Sequence, residues 1–174
     1  MANVLVAYAT RAGSTKDIAE AIAEGIREYG HHVEVEQFQR PGIGPAYEVP
    51  TDEVDAFVIG SGIQNGAWQG EALSWLGQHA GEFDGRPVAL FNVCMTAADP
   101  GKRDVALGYN KTAAAKVGEV SAQQTFAGRF VPAKVGWFTR LVLRGASKGE
   151  ARDEVDPDAA RAWGRSLAGQ LVAS

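Results

Sequence analysis

Three features of the sequence predict an α/β fold built as a doubly wound, five-stranded parallel sheet. Short apolar runs rich in β-formers alternate with segments of helical periodicity from end to end. Most of these runs are continuous, as in strands buried on both faces. The connections between them are short, the pattern of successive βα units.

"NVLVAYA" (3–9) is the first strand. The helix after it places Ile18, Ile22, Ile26 and Tyr29 at helical spacing, with Ser14 as cap, Asp17 in its first turn and Gly30 to end it. "HVEVEQF" (32–38) alternates, which puts a second strand near a sheet edge. "DAFVIGSG" (55–62) and "RPVALFNV" (86–93) are again continuous strands. Between them "GEALSWLGQHAGEF" reads as a helix carrying Leu73, Leu76 and Ala80 inward. "KRDVALGYNKTAAAKVGEV" is helix-like despite Gly108. "AQQTFAGRFV" (122–131) alternates Phe126, Gly128 and Phe130 as the fifth strand. The last helix opens with Pro157 and Asp158 and buries Ala160, Trp163, Leu167 and Leu171.

The 174 residues fit one domain, 1–174, with 45 % hydrophobic and 22 % charged residues, ordinary globular values. Twenty-one acids against 17 bases give a net charge of -4, which argues against a nucleic-acid partner. Cys94 is the sole cysteine, and His31, His32 and His79 form no metal pair, so no metal site is expected. No basic leader precedes the first strand, and no apolar run approaches the ~20 residues that cross a bilayer. The expected location is the cytoplasm.

One stretch breaks the rhythm. Residues 132–149, "PAKVGWFTRLVLRGASKG", interleave Trp137, Phe138 and Leu141 with Lys134, Arg140, Arg144 and Lys148, between the last strand and the last helix. It reads as an insertion, and such insertions are often functional.

Thr10, Arg11, Ala12, Gly13, Ser14 and Thr15 join the first strand to its helix with three hydroxyls and no acid. Such a turn either caps the helix or holds a phosphate, because backbone N–H groups and the helix dipole converge there. A dinucleotide turn needs three glycines where only Gly13 stands. A nucleoside-triphosphate loop needs a different length and order from "GSTK". A phosphoryl-accepting domain needs an acid ending the third strand, which instead ends Ile59-Gly60-Ser61-Gly62.

The loop resembles the phosphate loop of the flavodoxin family, roughly Ser/Thr-x-Thr-Gly-x-Thr, with Ala12 where threonine is usual. The resemblance implies strand order 2-1-3-4-5 and flavin mononucleotide as cofactor, its phosphate held by residues 10–15. Two further loops would enclose the isoalloxazine ring. One is Ser61, Gly62, Ile63, Gln64, Asn65, Gly66, Ala67 and Trp68; the other is Val93, Cys94, Met95, Thr96 and Ala97. Trp68 offers a flat face for stacking or anchors the loop on protein. Gln64 and Asn65 donate to ring oxygens or close a turn. Arg11 offsets phosphate charge or is an ordinary exposed arginine, and Cys94 is a small core filler rather than a redox thiol.

Over nearly the whole chain the sequence is similar to the menaquinone-dependent protoporphyrinogen IX dehydrogenase branch of these proteins. The similarity lies in "TRAGST", "VIGSGIQNGAW", "FAGRFVPAKVGWFTRLVLR" and "SKGEARDEVD". It implies an FMN-dependent oxidoreductase that moves electrons from a tetrapyrrole to a quinone. No catalytic acid or base stands out. In that reading Trp137 and Phe138 meet a planar substrate or lipid, and Arg140 and Arg144 meet carboxylates or anionic head groups at the inner face of a membrane. Otherwise the stretch is a packed helix with a solvated basic face. An electron-carrying flavodoxin and a flavin-dependent quinone reductase are the competing functions.

Overall fold

The computed structural model of the chain describes residues 1–40, 51–130 and 152–170. Five parallel strands form its centre: β1 (Asn3–Ala9), β2 (His32–Gln37), β3 (Ala56–Gln64), β5 (Val88–Cys94) and β6 (Ala122–Ala127). Their order is β2-β1-β3-β5-β6, which is 2-1-3-4-5 once the short hairpin arm β4 (Ala67–Trp68) is set aside. The alternating second strand does lie at an edge.

Successive residues of a strand point to opposite faces, and here both faces are covered. Val4, Val6 and Tyr8 of β1 join Ile18, Ile22 and Ile26 of α1 (Ser14–Arg27) and Leu167 of α5 (Pro157–Gln170) in one core. Leu5, Ala7 and Ala9 join Trp75 and Leu76 of α2 (Gly70–Gln78) and Ala113 of α4 (Lys111–Val117) in the other. Each fully buried Ile or Leu contributes roughly 1.5–3 kcal/mol. That explains why continuous apolar runs, rather than alternating ones, form the inner strands.

α1 and α5 cross at two glycines. A Cβ on Gly25 would fall on the carbonyl oxygen of Arg161, and one on Gly164 on that of Ile22. Flanking the crossing, Arg161 pairs with Glu24 and Arg165 with Glu28.

Several boundaries differ from the sequence expectation. Gly13, not Ser14, holds the N-cap position of α1, with φ 94°, and Ser14 is the first helical residue. Tyr29 is 60 % exposed, because α1 ends at Arg27 and the chain turns at Gly30. α2 stops at Gln78 and a 3-10 turn, Ala80–Glu82, follows; Ala72 and Trp75 are buried with Leu76, while Leu73 is half-buried and Ala80 exposed. The helix expected after the fourth strand breaks at Tyr109–Asn110 into α3 (Arg103–Gly108) and α4. The fifth strand ends at Ala127; Arg129–Phe130 (β7) instead pairs antiparallel with Arg152–Asp153 (β8). Trp163 is half-buried, edge-on to Phe91 and Phe126. Leu171 and the segment 132–149, with Trp137, Phe138, Arg140 and Arg144, lie outside the described residues.

Candidate functional site

Because β1, β3 and β5 run parallel, the loops that leave them open at one end of the sheet. From β1 the chain turns to β2 on one side, while β3 lies on the other, so the β1/β3 boundary is the topological switch point. In such sheets ligands bind in the crevice outside the strand ends at that boundary.

The loop after β1 is shaped by Gly13, whose left-handed φ a side chain disfavours. Its N–H donates to the Thr10 hydroxyl at 3.0 Å, and its carbonyl accepts from the N–H groups of Lys16 and Asp17. Helix geometry gives the N–H groups of Ser14 and Thr15 no acceptor within α1. Neither of their hydroxyls has a hydrogen-bond partner among the described residues. The first turn of a 14-residue helix thus carries these N–H groups and two hydroxyls, a donor set that fits an anion. The Ala12 side chain adds no donor.

Arg11 is held by the protein itself. Its guanidinium makes a bidentate pair with Glu71 in the first turn of α2, with Nη2 to Oε2 at 2.9 Å and Nη1 on Oε1. Burial alone would raise the Glu71 pKa, but the Arg11 hydrogen bonds, a backbone N–H and the nearby charge of Arg11 outweigh it. The carboxyl therefore stays below its ordinary value. The pair leaves the loop close to neutral.

The loop after β3 is a hairpin. Asn65 (φ 53°) and Gly66 (φ 75°) form its two-residue turn, and Ile63 and Gln64 pair with Trp68 and Ala67. Asn65 therefore closes a turn. Trp68 is 4 % exposed, with its indole N–H donating to Asn110 Oδ1 at 3.1 Å. Of the two roles the sequence leaves open, this is the second: the ring anchors the hairpin in the core. Ser61 is fully buried; its hydroxyl donates to the Gly62 carbonyl and accepts the Gln69 N–H, both at 2.9 Å.

The loop after β5 begins with buried Val93 and Cys94 and continues as a 3-10 turn, Met95–Ala98, in which Met95 and Thr96 are half-buried and Ala97 is buried. Cys94 lies 3.6 Å from Asn92 Oδ1 and 4.0 Å from Thr125 Oγ1, a packed thiol as expected. Asn92 is the centre of a buried network. It donates to the Ala106 carbonyl and to Asn110 Oδ1, both at 2.9 Å, and accepts from the Thr125 hydroxyl at 2.8 Å. Through Asn110 and Trp68 this network fastens the second loop to the third. Tyr109 joins them at the surface: its hydroxyl is 3.5 Å from Thr96 Oγ1, and its ring edge lies beside Gly66.

Gln69, Glu71, Asn92, Tyr109 and Asn110 escaped the sequence reading. Only Asn92 carried a signal, as the single polar residue in an otherwise apolar strand buried on both faces. Beside the site, Arg129 bridges Asp17 of α1 and Asp153 of β8. Among the described residues no group of three His, Cys, Asp or Glu could hold a metal, and no helix is long and apolar enough to cross a membrane.

A family model described as flavodoxin domain matches residues 5–156, and the chain belongs to that family. Its cofactor is flavin mononucleotide, and the coarse function is that of a flavin-type oxidoreductase or electron-transfer protein. Over 99 residues the chain is 28 % identical to the protoporphyrinogen IX dehydrogenase [quinone] of Escherichia coli (strain K12). That alignment takes in 57 % of this chain and 52 % of the relative, so the chain spans about half the length of the curated relative it matches. Among solved structures, the two-electron reduced flavodoxin of Megasphaera elsdenii aligns with TM-score 0.59 and 14 % identity over 95 % of this chain and 98 % of its own. Oxidised Flavodoxin 1 of Bacillus cereus aligns with TM-score 0.55 and 16 % identity over 98 % and 97 %.

Proposed function

We propose that the protein is an FMN-dependent oxidoreductase that moves electrons from a reduced tetrapyrrole to a quinone. The observation that supports this is the 28 % identity to a quinone-linked protoporphyrinogen IX dehydrogenase. Bound flavin supplies the two-electron chemistry. In this reading the protein binds and orients. Thr10, Ser14 and Thr15 donate to the phosphate together with the N–H groups of the first turn of α1. The hairpin at 61–68 and the loop at 93–97 flank the ring, and Tyr109 is the aromatic side chain at its edge. Trp137, Phe138, Arg140 and Arg144 contact the substrate or a membrane surface.

The test is purified protein reconstituted with flavin mononucleotide, given porphyrinogen and a quinone, with porphyrin fluorescence followed in time. Quinone-dependent appearance of porphyrin is expected. Oxidation of other electron donors without porphyrin formation would transfer the assignment to an electron carrier. That second reading is favoured by the near end-to-end alignment with two flavodoxins.

A further inference from the structure

Gln69 sits at the N-cap of α2, yet its side chain does not cap the helix. Its backbone is fully engaged: the N–H donates to Ser61 Oγ, and the carbonyl accepts from Ala72 and Leu73. Gln69 is 6 % exposed, and its carboxamide Oε1 is buried without a hydrogen-bond partner. Buried polar atoms in folded proteins nearly always have a partner, so this one calls for a donor.

Its place narrows what that donor is. A Cβ built on Gly62 would lie 3.2 Å from Gln69 Nε2, 3.0 Å from Thr15 Oγ1 and 3.7 Å from the Ala9 carbonyl oxygen. The carboxamide nitrogen and the Thr15 hydroxyl therefore close on one point at the paired ends of β1 and β3, which the lack of a side chain at Gly62 keeps free of a Cβ. This is the switch-point crevice, on the side of the anion-binding loop.

We infer that the Gln69 carboxamide oxygen accepts a hydrogen bond from a ribityl hydroxyl of the flavin, an assignment that rests on flavin mononucleotide occupying this crevice. The phosphate is excluded as the partner of Oε1, since an ionised phosphate oxygen only accepts. The ring's N3–H is its other donor, but it lies at the end of the ring remote from the phosphate, whereas Gln69 stands beside Thr15. The ribityl chain joins phosphate to ring and carries hydroxyls that donate. Gln69 would thus make the site specific for the sugar-alcohol linker as well as for the phosphate.

The experiment is flavin titration, by fluorescence, of the full chain and its Gln69→Met and Gln69→Asn variants, with circular dichroism to confirm folding. The probes are flavin mononucleotide, riboflavin and lumiflavin, which has neither ribityl nor phosphate. Gln69→Met should weaken the first two by about the same factor, near tenfold, and leave lumiflavin unchanged. Weakening of flavin mononucleotide alone would mean that the carboxamide meets the phosphate, and an equal loss for lumiflavin would mean a contact with the ring; either overturns the inference, as does no change at all. In the wild type, one of the ribityl deoxy analogues of flavin mononucleotide should bind about tenfold more weakly, and Gln69→Met should abolish that difference. This arm needs only the wild type to show its first half, so a variant that fails to fold does not remove the test. A wild type that binds none of the flavins would defeat the underlying site instead.

Discussion

Arg11 and Glu71, 60 residues apart, form a bidentate pair that ties the loop after β1 to the first turn of α2. The Glu71 side chain is 6 % exposed and that of Arg11 31 %, so the carboxylate depends on its partner far more than the guanidinium does. Removing one member of a fully buried pair costs about 3–5 kcal/mol; with one side in water, Arg11→Met should cost about 2 kcal/mol. Adding Glu71→Gln should recover much of that loss, read as a coupling energy in denaturant unfolding of the four proteins.

The same pair sets a pH dependence. The folded Glu71 carboxyl has its pKa lowered, so the stabilisation is complete above its ordinary value and is lost as pH falls through the folded value. Stability of the wild type should therefore decline in acid more steeply than that of Arg11→Met/Glu71→Gln. Parallel curves of unfolding free energy between neutral pH and the acid range would refute it.

In the loop after β1, Ser14→Ala with Thr15→Val should weaken flavin mononucleotide binding, since each hydrogen bond to a charged group is worth about 1.5–3 kcal/mol. Riboflavin, which lacks the phosphate, serves as control and should bind the double variant as it binds the wild type. Equal affinity of variant and wild type for flavin mononucleotide would remove these hydroxyls from the site.

Trp68 and Tyr109 should separate cleanly. Trp68→Phe removes the indole N–H from Asn110 and should lower stability by about 1 kcal/mol, with little change in the fluorescence of bound flavin. Tyr109→Ala should raise that fluorescence. The reverse pattern would return the stacking role to Trp68.

At the α1–α5 crossing, alanine is the better helix former by about 1 kcal/mol, yet Gly25→Ala or Gly164→Ala should destabilise. Each added methyl falls on a backbone carbonyl of the opposite helix. Overpacking of that kind costs about 1–3 kcal/mol. A thermal melt that rises in either variant would show that the helices separate at no cost.

What the sequence displays and what it hides differ for physical reasons. Strands buried on both faces, such as Val88–Cys94, are continuous apolar runs, and a helix with one buried stripe, such as Ser14–Arg27, repeats Ile18, Ile22 and Ile26; both patterns are local. The loop at 10–15 carries a local signal, since Thr10, Ser14 and Thr15 lie within six residues around Gly13. Glu71 and Gln69 carry none, since their roles depend on Arg11 and Gly62, brought to them only by the parallel pairing of β1 with β3. Trp68 keeps two readings in the sequence because a tryptophan at a strand end offers the same letter whether its N–H faces a ligand or Asn110. The break at Tyr109–Asn110 follows Gly108, a weak helix former in an otherwise helix-like segment, and the buried contacts of Asn110 fix it there.

The helix that follows the 10–15 loop is held from behind by residues 137 positions later: Arg161 reaches Glu24, and Arg165 reaches Glu28. During synthesis on a ribosome α1 therefore emerges long before its partner exists. Its inner face of Ile18, Ile22 and Ile26 must wait on the growing sheet alone until α5 arrives. A chain halted before Pro157 carries the complete 10–15 loop on a helix that lacks both ion pairs.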